Sequence, residues 1–178
     1  GETLSGIARK YGVSVTAVKQ ANNMKGSVIH PGSSLVIPRG GPGLIRKVRA
    51  QSTIPVIAHD AGVCHVFIDE SASAEMAVAI VHESKLRQMA VCNGLETLLC
   101  HRGAAERVLP LVLKDLREAG VEIRGCQATR AIFGEAVLAS EADWAEEFLA
   151  PILAVRIVDS MDQAIEHIRR YGSNHTEI

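Results

Sequence analysis

Apolar residues recur along this chain at two spacings, and the switches between them mark out its elements. After Thr3, residues Leu4, Ile7, Ala8 and Tyr11 fall at helical spacing before Gly12, so Thr3 reads as the N-cap of a short first helix. Ser14 caps a second short helix carrying Val15, Val18 and Ala21, and Pro31-Gly32 turns into a strand, Leu35-Val36-Ile37-Pro38. Residues 43–51 read as a helix with Leu44, Ile45 and Val48 on one face, and residues 55–58 and 64–69 as strands. Ser71 or Ser73 caps an apolar helix over 74–86 that holds Met76, Ala79, Ile80 and Ser84. A strand over 95–101 follows, then a helix over 104–119 with Val108, Val112 and Leu116 in register and Gly120 past its end. Pro110 is expected to kink that helix or restart it. Residues 121–124 and 136–139 are short strands around a small helix, and 152–158 is another strand. Ser160-Met161-Asp162-Gln163 forms a capping box that opens the last helix, stopped at Gly172.

Strands alternating with helices at this spacing predict a three-layer α/β domain with a mostly parallel sheet. The 178 residues suffice for one ordinary domain, or a small domain beside a medium one. A hydrophobic content of 47% supports a sizeable core. The net charge of −1 argues against nucleic acid or an anionic membrane as partner, and 3% aromatics leaves too few rings for base stacking. Cys64, Cys92, Cys100 and Cys126 lie far apart, with no metal-like spacing, and read as reduced thiols of a cytoplasmic protein. No metal site is expected. No leader or uninterrupted apolar run of membrane-spanning length is visible.

The stretch with most chemical content is Gln88-Met89-Ala90-Val91-Cys92-Asn93-Gly94-Leu95-Glu96-Thr97-Leu98-Leu99. It places a thiol at a helix-to-strand junction, where a rigid scaffold can hold a nucleophile against substrate. The alternative is a buried structural cysteine. The words around it resemble the γ-glutamyl phosphate reductase family (glutamate-5-semialdehyde dehydrogenase) of proline biosynthesis, a branch of the aldehyde dehydrogenase superfamily. Three further runs carry the likeness in the family's order. They are Ile37-Pro38-Arg39-Gly40-Gly41-Pro42-Gly43-Leu44, then Ile54-Pro55-Val56-Ile57 with Gly62-Val63-Cys64-His65-Val66-Phe67-Ile68-Asp69, and finally Asp162-Gln163-Ala164-Ile165-Glu166-His167-Ile168 with Tyr171-Gly172-Ser173-Asn174-His175-Thr176-Glu177. The resemblance spans roughly residues 36–178 and implies a catalytic domain of aldehyde dehydrogenase type over 39–178.

Residues 1–38 resemble a different unit, the LysM module, a small α+β fold that binds N-acetylglucosamine polymers such as peptidoglycan or chitin. The matching words are Gly1-Glu2-Thr3-Leu4, Ile7-Ala8, Tyr11-Gly12-Val13-Ser14, Asn22, and Ile29 with Pro31-Gly32 and Leu35-Val36-Ile37-Pro38. The resemblance implies a sugar groove between Glu2, Thr3 and Leu4 on one side and Ile29, His30 and Pro31 on the other. A strand that such modules carry ahead of Gly1 is absent from this sequence. Leu35 to Gly40 satisfies both resemblances at once, as a natural or engineered chimera would leave it.

The reductase resemblance implies a Cys92 thiolate that attacks the carbonyl of γ-glutamyl phosphate, and NADPH as the reductant that yields glutamate-5-semialdehyde. Cysteine suits the task because a thioester remains electrophilic, and the Cys92 backbone N–H is the natural first oxyanion donor. His59 or Asp60 stands where ordinary aldehyde dehydrogenases keep a hydrolytic Glu; otherwise His59 is a loop histidine. Glu147 stands where the superfamily holds the nicotinamide ribose; otherwise it is a solvated carboxylate. Cys64 and His65 point to opposite faces of a strand, cannot form a catalytic pair, and read as structural, like Cys100 and Cys126. The family's dinucleotide-binding part precedes the matched region and its C-terminal part follows Ile178. Gly40-Gly41-Pro42-Gly43 does not replace a phosphate cradle, and Glu83 stands where the family usually has Asn. Three readings therefore compete: a reductase catalytic region inactive by itself, a glycan-binding module with unrelated cargo, and a fragment without activity.

Overall fold

The computed structural model describes residues 3–10, 15, 19, 42–56 and 61–178. The chain divides into two compact units, Gly1–Asp60 and Ala61–Ile178.

In the first unit, α1 spans Leu4–Lys10 and α2 spans Pro42–Gln51. Thr3 caps α1 as expected: its Oγ1 accepts from Gly6 N at 3.1 Å, and Ile7 and Ala8 are buried. Proline at the first position of α2 loses no helical bond, because that N–H has no partner within a helix. Ile45 is buried, but Leu44 is 51% exposed, so the face expected to carry both is narrower than its apolar residues suggest. The expected turn at Pro31-Gly32, the strand over 35–38 and all but Val15 and Lys19 of the second helix lie outside the described residues.

The second unit is built on a five-stranded, wholly parallel sheet. Its strands are β1 (Cys64–Ile68), β2 (Leu95–His101), β3 (Glu122–Gly125), β4 (Val137–Leu138) and β5 (Ile152–Val158), in the order β1-β2-β5-β3-β4. The helices are α3 (Ala74–Leu86), α4 (Arg102–Glu118), α5 (Gln127–Ile132) and α6 (Met161–Tyr171), with a 3₁₀ turn at Ala142–Ala145. One core joins the sheet to α3, α4 and α5, where Leu98, Leu109, Leu113, Leu116 and Leu153 have no accessible surface. A smaller cluster on Leu99, Val158 and Ala164, with Phe67 and Ile168, seats α6. The three-layer expectation holds.

Local chemistry explains most boundaries. Ser73, not Ser71, caps α3. Ser160 Oγ accepts from Gln163 N, while Gln163 Oε1 reaches back to Asp159 N at 2.9 Å, so the box closes one residue earlier than its usual form. Gly120 ends the loop after α4 at φ 85°, where a Cβ would be strained. Pro110 neither breaks nor restarts α4, which runs unbroken from Arg102 to Glu118. The carbonyl it deprives of a partner belongs to exposed Glu106, where water can serve instead. The buried stripe of α3 is Ala77, Val81 and Lys85, whereas Met76 is 63% exposed. Cys126 is half-buried rather than a core residue, while Cys100 is fully buried.

After α6 the chain returns along β1. His65 N donates to Thr176 O, Ile178 N to His65 O at 3.0 Å and Phe67 N to Ile178 O at 2.7 Å, a parallel bridge centred on Glu177. No helix among the described residues is long and apolar enough to cross a membrane.

Candidate active site

Cys92 lies in the turn of residues 87–94 that joins α3 to β2, and it is exposed. Two glycines shape its backbone. Gly94 N donates to Val91 O at 3.0 Å, and a Cβ on Gly94 would stand 3.2 Å from that same oxygen. Because the carbonyl and amide of one trans peptide point in opposite directions, this bond aims the Cys92 N–H away from the turn. Gly62 approaches from the other side, where a Cβ would fall 2.0 Å from the Cys92 carbonyl oxygen and 2.9 Å from Glu147 Oε1. Only glycine fits there. The backbone of the residue expected to carry the nucleophile and the expected cofactor carboxylate thus flank one backbone position.

What anchors this turn is a buried ion pair that the sequence pattern did not disclose. Lys85, in the last turn of α3, donates from Nζ to Leu95 O at 2.8 Å and to Glu96 Oε2 at 2.9 Å. Both side chains are 1% accessible. Glu96 Oε1 accepts from Leu149 N at 3.0 Å, which ties in the loop that bears Glu147. The pair therefore clamps the two ends of the Cys92 turn and the Glu147 loop together. Burial pulls the Lys85 ammonium down and pushes the Glu96 carboxyl up, each toward neutrality, and their mutual hydrogen bond opposes both changes. A signal for the pair did exist: Lys85 continues the buried stripe of Ala77 and Val81 at steps of four, and Glu96 is the one carboxylate in the strand Leu95–His101.

A second thiol stands behind the first. Cys64, the first residue of β1, is buried, and its Sγ–H donates to the Cys92 carbonyl at 3.2 Å. His175 Nδ1 lies 3.8 Å from the same sulfur. Burial pushes the Cys64 thiol up to about 11, so it stays protonated near neutral pH. His65 points to the opposite face, as alternation requires, and its Nδ1 meets Glu177 Oε2 at 2.8 Å. Beyond it His167 packs edge-on against His65 and Trp144. Burial, followed by the charges of His65, Arg156 and Arg170, pulls the His167 imidazole down to about 3. Arg156 Nη1 donates to its Nδ1 at 3.2 Å, which demands the neutral ring.

Of the other residues picked out in the sequence, Thr3 is the α1 cap and Leu4 opens that helix. Glu2, Ile29, His30, Pro31, His59 and Asp60 lie outside the described residues.

The parallel sheet with helices on both faces matches the fold of aldehyde dehydrogenase-type catalytic domains in solved structures. A propionaldehyde dehydrogenase from Rhodopseudomonas palustris shares that fold at a TM-score of 0.57 and 16% identity, over 83% of this chain and 41% of its own. The more specific likeness is to gamma-glutamyl phosphate reductase. The enzyme of Caldanaerobacter subterraneus subsp. tengcongensis is 50% identical over 143 residues, 80% of this chain and 34% of the relative. That of Xylella fastidiosa is 54% identical over 144 residues, covering 81% and 35%. The crystal structure of the Thermotoga maritima enzyme superposes with a TM-score of 0.78 at 46% identity, over 81% of this chain and 35% of that one. The chain thus spans about a third of the length of the curated relatives it matches. A family model described as the LysM domain matches residues 1–38.

Proposed function

We propose that residues 39–178 are the thiol-bearing catalytic portion of a γ-glutamyl phosphate reductase, an oxidoreductase of proline biosynthesis, with Cys92 as nucleophile. The observation that carries this reading is an exposed thiol on a turn clamped by the buried Lys85–Glu96 pair, within a chain about half identical to such reductases where they match. Cys92 attacks the acyl carbon of γ-glutamyl phosphate, its N–H stabilises the oxyanion, and the C–O bond to phosphate breaks to leave a thioester. Phosphate is a good leaving group, so no residue need supply a proton to expel it. With His59 in the position of the Glu that activates water in ordinary aldehyde dehydrogenases, the thioester is not diverted to water by a carboxylate there. Glu147, half-buried beside Gly62, fits an acceptor for a ribose hydroxyl of NADP(H). When bound, that cofactor supplies the hydride.

The 178-residue chain by itself is expected to show no NADPH turnover, since positioning of the reacting groups is worth roughly 7–11 kcal/mol. The test is a graft of residues 39–178 into the Thermotoga maritima enzyme in place of the stretch they match. Phosphate-dependent NADP reduction with glutamate-5-semialdehyde should persist and vanish with Cys92→Ala. A folded but inactive graft would overturn the reading.

The LysM match over residues 1–38 favours a second reading, binding of N-acetylglucosamine polymers through Glu2, Thr3, Leu4, Ile29, His30 and Pro31. Retention on insoluble peptidoglycan, lost on altering Thr3 and Ile29, would support it; passage without retention would remove it.

A further inference from the structure

The parallel sheet sorts the four cysteines onto two edges. Cys64 opens β1, pairs in register with Leu95 at the start of β2, and Cys92 lies just before that residue. Cys100 sits near the end of β2, and Cys126 immediately follows β3. In an all-parallel sheet these are the opposite edges, so Cys64 and Cys92 form one thiol pair from which the other two are separated by the length of a strand.

The pair is close enough to join. Cys64 Sγ is 3.2 Å from the Cys92 carbonyl oxygen, and that oxygen is about 2.4 Å from its own Cα by backbone geometry. The Cys92 Cα is therefore within about 6 Å of the Cys64 sulfur. The exposed Cys92 side chain, on a turn rather than in a strand, can rotate toward the sulfur of buried Cys64. The two thiols are also unequal, as a nucleophile and a resolving partner must be. Cys92 faces solvent, whereas Cys64 is 2% exposed, shielded by its own strand and by the segment bearing His175.

We infer that Cys92 and Cys64 are an oxidative modification site at which a hydroperoxide drives formation of a Cys64–Cys92 disulfide. In the first step the Cys92 sulfur attacks the peroxide; an S–O bond forms, the O–O bond breaks, and the peroxide is reduced to water or an alcohol. The sulfur, oxidised by two electrons, is a sulfenic acid. In the second step the Cys64 sulfur attacks it; an S–S bond forms, the S–O bond breaks, and hydroxide leaves with the Cys64 proton as water. Because Cys92 is exposed and Cys64 is buried, Cys92 is the thiol that meets the oxidant first. The product hides the nucleophile reversibly and spares it irreversible oxidation. This inference rests on the placement of two thiols and not on the acyl chemistry proposed above, so either can fail without the other.

The experiment exposes the reduced 178-residue chain to a small excess of hydrogen peroxide, followed by intact mass and peptide mapping under non-reducing conditions. The expected product is a monomer lighter by two hydrogens, with Cys64 and Cys92 in one linked peptide. Iodoacetamide labelling of Cys92 should fall by about tenfold or more and return with dithiothreitol. In Cys64→Ala, dimedone should trap Cys92 as the sulfenic acid, and no internal disulfide should form. The mapping of the unaltered chain decides the matter even if that variant does not fold. Cys92 carried to sulfinic acid while Cys64 stays free, or linked instead to Cys126 or to a second chain, would overturn the inference.

Discussion

Replacing Lys85 with methionine should be among the most damaging single changes in the second unit. The methionine fills much the same volume but leaves Glu96, with no accessible surface of its own, holding a buried carboxylate whose remaining partner is Leu149 N. Two hydrogen bonds are lost at once, to Glu96 Oε2 and to Leu95 O. Breaking one side of a buried pair costs about 3–5 kcal/mol, a large part of the 5–15 kcal/mol that stabilises an ordinary domain. The companion Lys85→Met/Glu96→Gln removes the stranded charge while keeping an oxygen for Leu149 N, and should recover more than half of that loss. The assay is urea unfolding followed by the fluorescence of Trp144, the chain's single tryptophan, which is buried. Because the pair clamps the turn, Cys92 should also label faster in Lys85→Met under conditions where the variant remains folded. A single variant within about 1 kcal/mol of the parent, or a double variant no more stable than the single, would refute the reasoning.

Three further outcomes follow from the same geometry. His167 has its pKa depressed in the fold, so its contribution to stability is present above the ordinary imidazole range and is lost as pH falls from about 6.5 toward 3; the loss between pH 6.5 and 4.5 should be about 2 kcal/mol, and His167→Asn, which keeps an acceptor for Arg156, should flatten that part of the curve in urea titrations. A pH dependence unchanged by that substitution would count against a neutral buried His167. Gly62→Ala should destabilise the unit by about 1–3 kcal/mol and alter Cys92 labelling, since its Cβ would lie 2.0 Å from the Cys92 oxygen; a neutral alanine variant would mean that the turn does not need this approach. Among the four thiols, Cys92 should be alkylated first and Cys126 second, because Cys126 is half-buried; burial raises its thiol, but hydrogen bonds from Thr129 and neighbouring backbone outweigh that and lower its pKa. Mass mapping that found Cys64 or Cys100 labelled ahead of both would contradict the burial order.

Much of the second unit was legible because its signals are local. The capping serines, the apolar strands at 95–101 and 152–158, and the helix carrying Val108, Val112 and Leu116 are each set by residues within a few positions of one another. The misreadings share a cause. Whether Leu44 or Met76 reaches a core depends on which side of the helix meets a neighbour, and both are apolar residues left facing water. Pro110 was expected to interrupt α4, but the helix is held by its buried stripe of Leu109, Leu113 and Leu116, and tertiary burial outweighs one lost bond. The site was legible at Cys92, through the words around it, and only partly elsewhere. The Lys85–Glu96 clamp and the approach of Gly62 join residues that the chain brings together only through the sheet. The thiol pair likewise depends on β1 lying beside β2, which neither Cys64 nor Cys92 announces alone.

The most direct measurement is the intact mass of the chain after incubation with γ-glutamyl phosphate generated in place, or with acetyl phosphate as a stable surrogate. A working Cys92 should gain a single acyl group with release of one equivalent of phosphate. The adduct should map to Cys92, be cleaved by neutral hydroxylamine as a thioester, and be absent from Cys92→Ala. An unmodified chain, or an acyl group carried by Cys100, Cys126 or a lysine with Cys92 still free, would contradict the account.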